Sequence, residues 1–353
     1  MLEVVRKIVN SFLPSNILVL WLGFLPFIMW GGFYEGPKVL YFLIGSFFVC
    51  TSLIVNTYKK PLKIGKVDLF FLLWLILLSV SSFLGVHPQE SFTGGSYRHQ
   101  GVIFFLALWV TGKRTSILST NSKRLLIKAV AFGVVAEAVI AAMQFISGSL
   151  YFGRPLGTIG ETNAVAGYLA MGTYFVYKTL PLKYLVLPVL SIFLSASRAG
   201  GLAVATFLAA INRKFFIPIL VAALMFVGIV STSQMTSLFE DRLLFWKMGM
   251  TAVAEKPITG YGAESGESIY NTLFARERIN LELLMVDRSH NLFLDIAMWS
   301  GIPGLFVFAL WLYHVFALSD WHKRFALLSF LIYSFFQPLS VVHWILLIIT
   351  INI

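Results

Sequence analysis

Apolar residues run in long blocks along most of this chain, interrupted by short polar connections. The blocks are about 15–25 residues long, the length a helix needs to cross roughly 30 Å of hydrocarbon, whereas barrel strands would alternate over about ten. The pattern predicts spans near 17–34, 38–57, 67–86, 100–112, 125–147, 164–180, 183–197, 199–211, 215–232, 291–318, 325–337 and 339–353. The fourth, eighth and last two are short. The expected fold class is therefore all-α, a polytopic transmembrane helical bundle of about 11–12 spans.

One long interval, 233–290, breaks the pattern. Within it, residues 241–254 carry Leu243, Leu244, Phe245, Met248 and Val253 at spacings that predict an amphipathic helix on a membrane interface. Gly260-Tyr261-Gly262 then reads as a turn. Residues 271–286 predict a second helix, with Leu273, Phe274, Leu281, Leu284 and Met285 on its apolar side. Together these two helices would form a lid over a pocket at membrane level. No fixed-period repeat is visible, so the expected organisation is a bundle over 1–232, an extracytoplasmic loop over 233–290 and C-terminal spans over 291–353.

Composition agrees with this picture and excludes a soluble chain: 58% of residues are hydrophobic, 16% aromatic and only 12% charged. A net charge of +11 could point to nucleic acid, but its placement does not. Arg6 and Lys7, Lys59 to Lys66, Lys113 to Lys128, Lys178 and Lys183, Arg213 and Lys214, and Lys323 and Arg324 fall on alternate connections. The connections between carry single cations, Lys38, Arg98, Arg154 and Arg198. The basic side is then cytoplasmic, with the N-terminus inside and 87–99, 148–163 and 233–290 outside. No small-residue cleavage site follows the first apolar run, which reads as an uncleaved span. Cys50 is the only cysteine, which rules out an internal disulfide or a thiolate cluster.

The candidate chemistry gathers where the long loop meets the next apolar helix, in Met285-Val-Asp-Arg-Ser-His-Asn-Leu-Phe-Leu-Asp295. This stretch sets Arg288, His290 and Asn291 together. A titratable imidazole beside a fixed guanidinium at a membrane surface suits an anionic, lipid-linked substrate. Metal chemistry would need close carboxylates; there is no Asp-x-Asp, and the nearest pairs, Glu240-Asp241 and Glu264 with Glu267, are poor ligands for a hard cation. The expectation is no metal and no cofactor.

Gly153 to Asn163, Ser195 to Gly200, Arg242 to Gly262 and His290 to Gly304, taken in that order, together resemble the O-antigen ligase and polymerase superfamily. His290-Asn291-Leu-Phe-Leu294, followed by Gly301 and Gly304, is similar to its signature. Gly153-Arg-Pro-Leu-Gly-Thr-Ile-Gly-Glu-Thr-Asn163 resembles its outer loop with an arginine and a downstream Asn, and Ser195-Ala-Ser-Arg-Ala-Gly200 its Ser-x-Ser-Arg-x-Gly turn. Arg242 through Gly262 resembles the segment in which an arginine and a tryptophan precede a Pro and a Gly-x-Gly. Two features depart from the pattern: Glu161-Thr162 stands where the family often has Asn-Pro, and the C-terminal helices are short.

The resemblance implies a multi-pass protein of the inner (plasma) membrane whose active face is extracytoplasmic. It implies metal-independent transfer of a glycan from a polyprenyl diphosphate carrier to a hydroxyl on a lipid or glycan acceptor, among membrane lipids and without nucleic acid. The same family includes polysaccharide polymerases, and a small-solute transporter is the other class open to a many-helix chain with a buried acid. For transfer, fixed cations must stabilise the leaving diphosphate; Arg154, Arg198 and Arg288 are the candidates, with Arg242 a fourth. His290 would accept or orient the proton of the attacking hydroxyl. Asn163 belongs to the substrate-binding set, and Asn291 would orient the imidazole or bind a sugar hydroxyl.

Other polar residues are expected to be structural. Arg98 reads as a lipid-phosphate anchor, and His87, His99, His314, His322 and His343 as loop or helix side chains without partner patterns. Glu137, in the middle of a span, should face the bundle interior, serving a structural hydrogen bond or a carrier or proton path. Asp295 shares a helix face with Asn291 and could hold a neighbour in place. Gly167, Gly172, Gly200 and Gly201 suit close helix packing.

Overall fold

A computed structural model describes residues 15–32, 34–57, 62–211, 237–279 and 286–353. Fourteen α-helices are found among them: α1 (Ser15–Phe24), α2 (Glu35–Thr57), α3 (Lys66–Phe83), α4 (Pro88–Thr93), α5 (Val102–Ser116), α6 (Thr120–Ser147), α7 (Thr162–Thr179), α8 (Val186–Leu194), α9 (Arg198–Ile211), α10 (Ser237–Glu255), α11 (Gly266–Arg276), α12 (Leu292–Ala317), α13 (Trp321–Phe336) and α14 (Val341–Asn352). The fold is an all-α polytopic bundle, and α2, α3, α6 and α12 are each long and apolar enough to cross a bilayer.

Local chemistry sets the helix ends. The Ser119 hydroxyl accepts the Ser122 N–H at the start of α6, and Gly148 closes that helix in the left-handed region (φ +71°). Asp320 caps α13 through the Lys323 N–H. Most predicted spans match helices within a few residues. Three expectations are corrected. The 17–34 run stops early, because Pro26 sits in a 3-10 turn (Leu25–Phe27) and Gly31 and Gly32 take positive φ. The 183–197 run is divided into a 3-10 turn, Leu182–Leu185, and the short α8. The second loop helix runs over Gly266–Arg276 rather than 271–286, since Arg278 adopts φ +55° and the Arg278 and Ile279 amides turn back to Ala275 O and Phe274 O. The expected span at 215–232, and Leu281, Leu284 and Met285, lie outside the described residues.

Helices pack closely where side chains are small. A Cβ on Gly167 would come 2.3 Å from the Tyr333 ring, one on Gly172 2.3 Å from Val134, and one on Gly200 2.6 Å from Ala166. α3 lies along α12 through aromatic contacts: Phe71 and Trp311 at 5.2 Å between centroids, Trp74 and Phe308 at 5.1 Å.

α12 is broken at Gly301 (φ +68°). The break would strand polar backbone groups, and the 257–263 segment takes them up. Tyr261 and Gly262 donate N–H groups to Met298 O (2.8 Å) and Trp299 O (3.0 Å), and Ile302 N–H donates to Pro257 O at 2.7 Å. The Ser81 hydroxyl also bonds Trp299 O. The Gly-x-Gly turn of the loop is thus docked into the bundle.

The two ends of the bundle differ. At one end, Lys113 pairs with Asp68 (2.8 Å), Lys123 donates to Asn352 O and Lys323 to Ile353 O. At the other, the connections holding Arg98, Arg154, Arg198 and His290 converge, with α10 and α11 packed against them and against the start of α12.

Candidate active site

Arg154 is presented by a tight reversal. Phe152 and Gly153 both take positive φ (+48° and +73°), and Tyr151 and Arg154 exchange backbone hydrogen bonds of 2.9 and 3.1 Å. From there the Arg154 guanidinium donates through Nε to Ser195 O (2.5 Å) and through Nη2 to Asn163 Oδ1 (2.9 Å). Asn163 is placed by Glu161, the N-cap of α7, whose carboxylate accepts the Asn163 and Ala164 N–H groups at 3.0 and 2.8 Å. Glu161-Thr162, a departure from the family pattern, therefore still builds a helix start.

Arg198 opens α9. Ala196 in the left-handed region (φ +49°) reverses the chain after α8, and Ser197 caps the new helix through the Gly200 and Gly201 amides. The positive end of a helix and a guanidinium thus coincide. Arg242, on the first turns of α10, completes a group of three. Burial, then the charge of Arg198, lowers the pKa of both Arg154 and Arg242, although Glu161 opposes this in each. Arg198 thus bears on two half-buried guanidiniums, those of Arg154 and Arg242.

His290 stands beside this group. Its backbone takes φ +57°, and its ring lies 5.8 Å from that of Phe245, on α10. Burial, then the charges of Arg242 and Arg98, brings its pKa down to about 4, against the pull of Asp287 and Gln337. Its Nδ1 is enclosed and has no hydrogen-bond partner among the described residues. Asp295 holds the approach: its Oδ1 accepts the Ser289 N–H (2.8 Å) and hydroxyl (2.7 Å), fixing the turn that carries the imidazole.

The other two residues of the motif have structural contacts. The Asn291 side-chain oxygen caps α12, accepting Phe293 and Leu294 N–H groups at 3.0 and 3.1 Å. Arg288 is buried, paired with Glu264 and lying 4.1 Å over the Trp299 ring. It faces a polar cavity of about 430 Å³ with Asp287, Glu264 and Glu267. Arg154 bonds Asn163 and, with Arg198, bears electrostatically on Arg242, which in turn bears on His290, while Arg288 lines the cavity beside Asp287.

Arg98 is corrected from a lipid anchor to a buried ion-pair partner of Asp287. Burial works against both charges, but each more than offsets it for the other, so the Arg98 pKa is raised and that of Asp287 lowered. The polar run Ser96-Tyr97-Arg98-His99-Gln100 ahead of an apolar helix was the available signal; its partner lies 189 positions away. Tyr333 was also missed. Its hydroxyl donates to Asn163 O at 2.9 Å, and nothing in the apolar sequence of α13 distinguishes it from a core tyrosine. His343 keeps its structural role, accepting the Ser340 N–H at Nδ1 (2.9 Å) with Nε2 at Ala164 O. Glu137 accepts the Thr158 N–H (2.7 Å) and hydroxyl (2.6 Å), tying the 148–161 loop to α6.

A helical bundle with several apolar helices, whose arginine-bearing connections meet His290 at one end, defines a class: a multi-pass membrane protein. Residues 184–309 match the family model described as O-Antigen ligase, a stretch that holds Arg198, Arg242, Arg288, His290 and Asn291. The match supports the O-antigen ligase and polymerase superfamily, and with it glycan processing at the membrane by a glycosyltransferase-like protein. No curated protein and no solved structure matches the chain.

Proposed function

We propose that the protein moves a glycan from a polyprenyl diphosphate carrier to a hydroxyl of a lipid or glycan acceptor, at the extracytoplasmic face of the plasma membrane and without a metal ion. The observation that carries this reading is the convergence of Arg154, Arg198 and Arg242 beside His290.

In the step itself, the acceptor hydroxyl attacks the anomeric carbon of the first sugar. The bond from that carbon to the diphosphate oxygen breaks, and the diphosphate leaves with the bonding electrons. Three half-buried guanidiniums grouped on neighbouring elements stabilise the growing negative charge. The hydroxyl proton passes to His290. The imidazole is neutral before substrate arrives and so free to accept; a diphosphate beside Arg242 offsets the repulsion that weakens it as a base. Arg288, paired with Glu264, shapes the adjoining cavity rather than meeting the phosphates.

The transporter alternative drew on the buried acid of α6. Glu137 is engaged with the 148–161 loop through Thr158, which favours a structural contact over a solute path. The test is reconstitution: purified protein in liposomes with a polyprenyl diphosphate glycan and candidate acceptors, products identified by mass. His290→Ala and Arg198→Ala should each abolish transfer while inserting normally; transfer that survives either change removes that residue from the mechanism.

A further inference from the structure

Beside the arginine group lies a second, larger cavity of about 640 Å³, walled by Trp30, Tyr34, Glu35, Tyr97, Arg98 and Glu161. We propose that it is a carbohydrate subsite, which on the transfer reading receives the sugars next to the carrier diphosphate.

The walls are built and held. Gly160 takes φ +92°, and a Cβ there would come 2.0 Å from the Tyr34 ring, so only glycine lets the ring lie on this loop. Lys38 Nζ donates to Tyr34 O (3.2 Å) and to Thr158 O (2.8 Å), clamping the connection after α1 to the 148–161 loop. Glu35 accepts the Val341 N–H at 3.1 Å, and Arg98 is fixed by Asp287. A cavity whose walls are already ordered costs little further ordering when a ligand enters.

Its chemistry suits a sugar. A pyranose has an apolar C–H face and an edge of hydroxyls. Here aromatic rings from two loops, Trp30 and Tyr34 on one and Tyr97 on the other, supply flat apolar surface, while Glu35, Glu161 and Arg98 supply polar groups, the combination of many apolar contacts and few directed polar ones found in ligand sites. Trp30 and Tyr97 remain 81% and 52% exposed, large ring surfaces that a ligand would cover. Glu161 lines the cavity, and the Arg98 cation there is already neutralised by Asp287, so a neutral polyol fits better than an anionic headgroup. The cavity meets the cationic site at Glu161, whose charge bears on both Arg154 and Arg242.

The experiment separates this subsite from the reaction. Reducing oligosaccharides, released by mild acid from the lipid-linked glycans of the source cells, are titrated into the full-length protein in nanodiscs. Binding is followed by calorimetry and by saturation-transfer NMR. The expected result is saturable binding that weakens at least tenfold in Trp30→Ala/Tyr97→Ala and persists in Arg242→Ala. Both rings are more than half exposed, so their loss spares the core. Absence of binding, binding indifferent to the two rings, or competition by phosphatidylglycerol would overturn the proposal. Glycan binding in a protein that transfers nothing would leave the subsite standing and defeat the transfer reading.

Discussion

Asn163 ties two parts of the site together: its side-chain oxygen accepts Arg154 Nη2 at 2.9 Å while its backbone oxygen accepts the Tyr333 hydroxyl at 2.9 Å. One residue at the head of α7 thus aims a guanidinium and anchors α13. A hydrogen bond to a charged group is worth roughly 1.5–3 kcal/mol, so Asn163→Ala should slow transfer about 10- to 100-fold. Initial rates in liposomes decide this; a loss below twofold would mean that Arg154 holds its pose unaided.

The Arg98–Asp287 pair is buried between the two cavities. Removing either partner strands the other charge, at a cost of about 3–5 kcal/mol. Arg98→Met and Asp287→Leu should each lower the melting temperature in detergent, and the double variant should recover most of the loss. A double variant no better than the singles would show that the pair contributes through something other than mutual neutralisation.

Much of this architecture was legible in the chain. Apolar run length alone located most of the membrane helices, because bilayer thickness fixes how long such runs must be. Within the site, the Arg154, Arg198 and Arg242 segments and His290 could be singled out by their resemblance to the superfamily's motifs, since a cation or imidazole at a break in an apolar pattern otherwise reads as an interfacial anchor. What sequence could not give was partnership. Arg288 reads as a candidate beside His290 and Arg98 as a lipid anchor, and only the fold pairs one with Glu264 and the other with Asp287. Helix ends set by left-handed residues other than glycine, such as Arg278 and Ala196, were equally hidden, because those residue types rarely signal a turn.

The docking of the Gly-x-Gly loop into α12 makes a separate prediction. Gly301 has φ +68°, and a Cβ there would come 2.2 Å from Ile258 O. Gly301→Ala should both strain the backbone and push the 257–263 segment away, costing on the order of 1–3 kcal/mol. Hydrogen exchange at Tyr261, Gly262 and Ile302 should quicken together, while α6 and α7 keep their protection. Unchanged exchange at those three amides would show that the break does not depend on the loop.

Chelation tests the metal-free step. Guanidiniums in place of a divalent cation should leave the transfer rate within twofold after exhaustive treatment with EDTA, measured on the same liposome preparation before and after. A loss restored by magnesium or manganese would replace the arginines as the main stabilisers of the leaving diphosphate.

The pKa of His290 yields a prediction in two parts. Burial and the neighbouring arginines hold it at about 4, below the ordinary 6.5, so between those values the unfolded chain binds the proton more readily than the folded one. Its contribution to stability is therefore full above about pH 6.5 and fades as pH falls through about 4, with a ceiling of ~3 kcal/mol. For transfer, only the neutral ring can accept a proton. The acid limb of kcat/KM, which reports the free protein, should fall near pH 4, and that of kcat, which reports the donor complex, should lie higher by about one unit. The rise follows from the diphosphate's charge offsetting that of Arg242, which lowers the pKa in the free protein. Measuring both profiles on wild type and on Arg242→Gln makes the cause explicit: in the variant the kcat/KM limb should move up and the gap between the two limbs should shrink. Limbs that coincide in the wild type would place the bound diphosphate away from the imidazole.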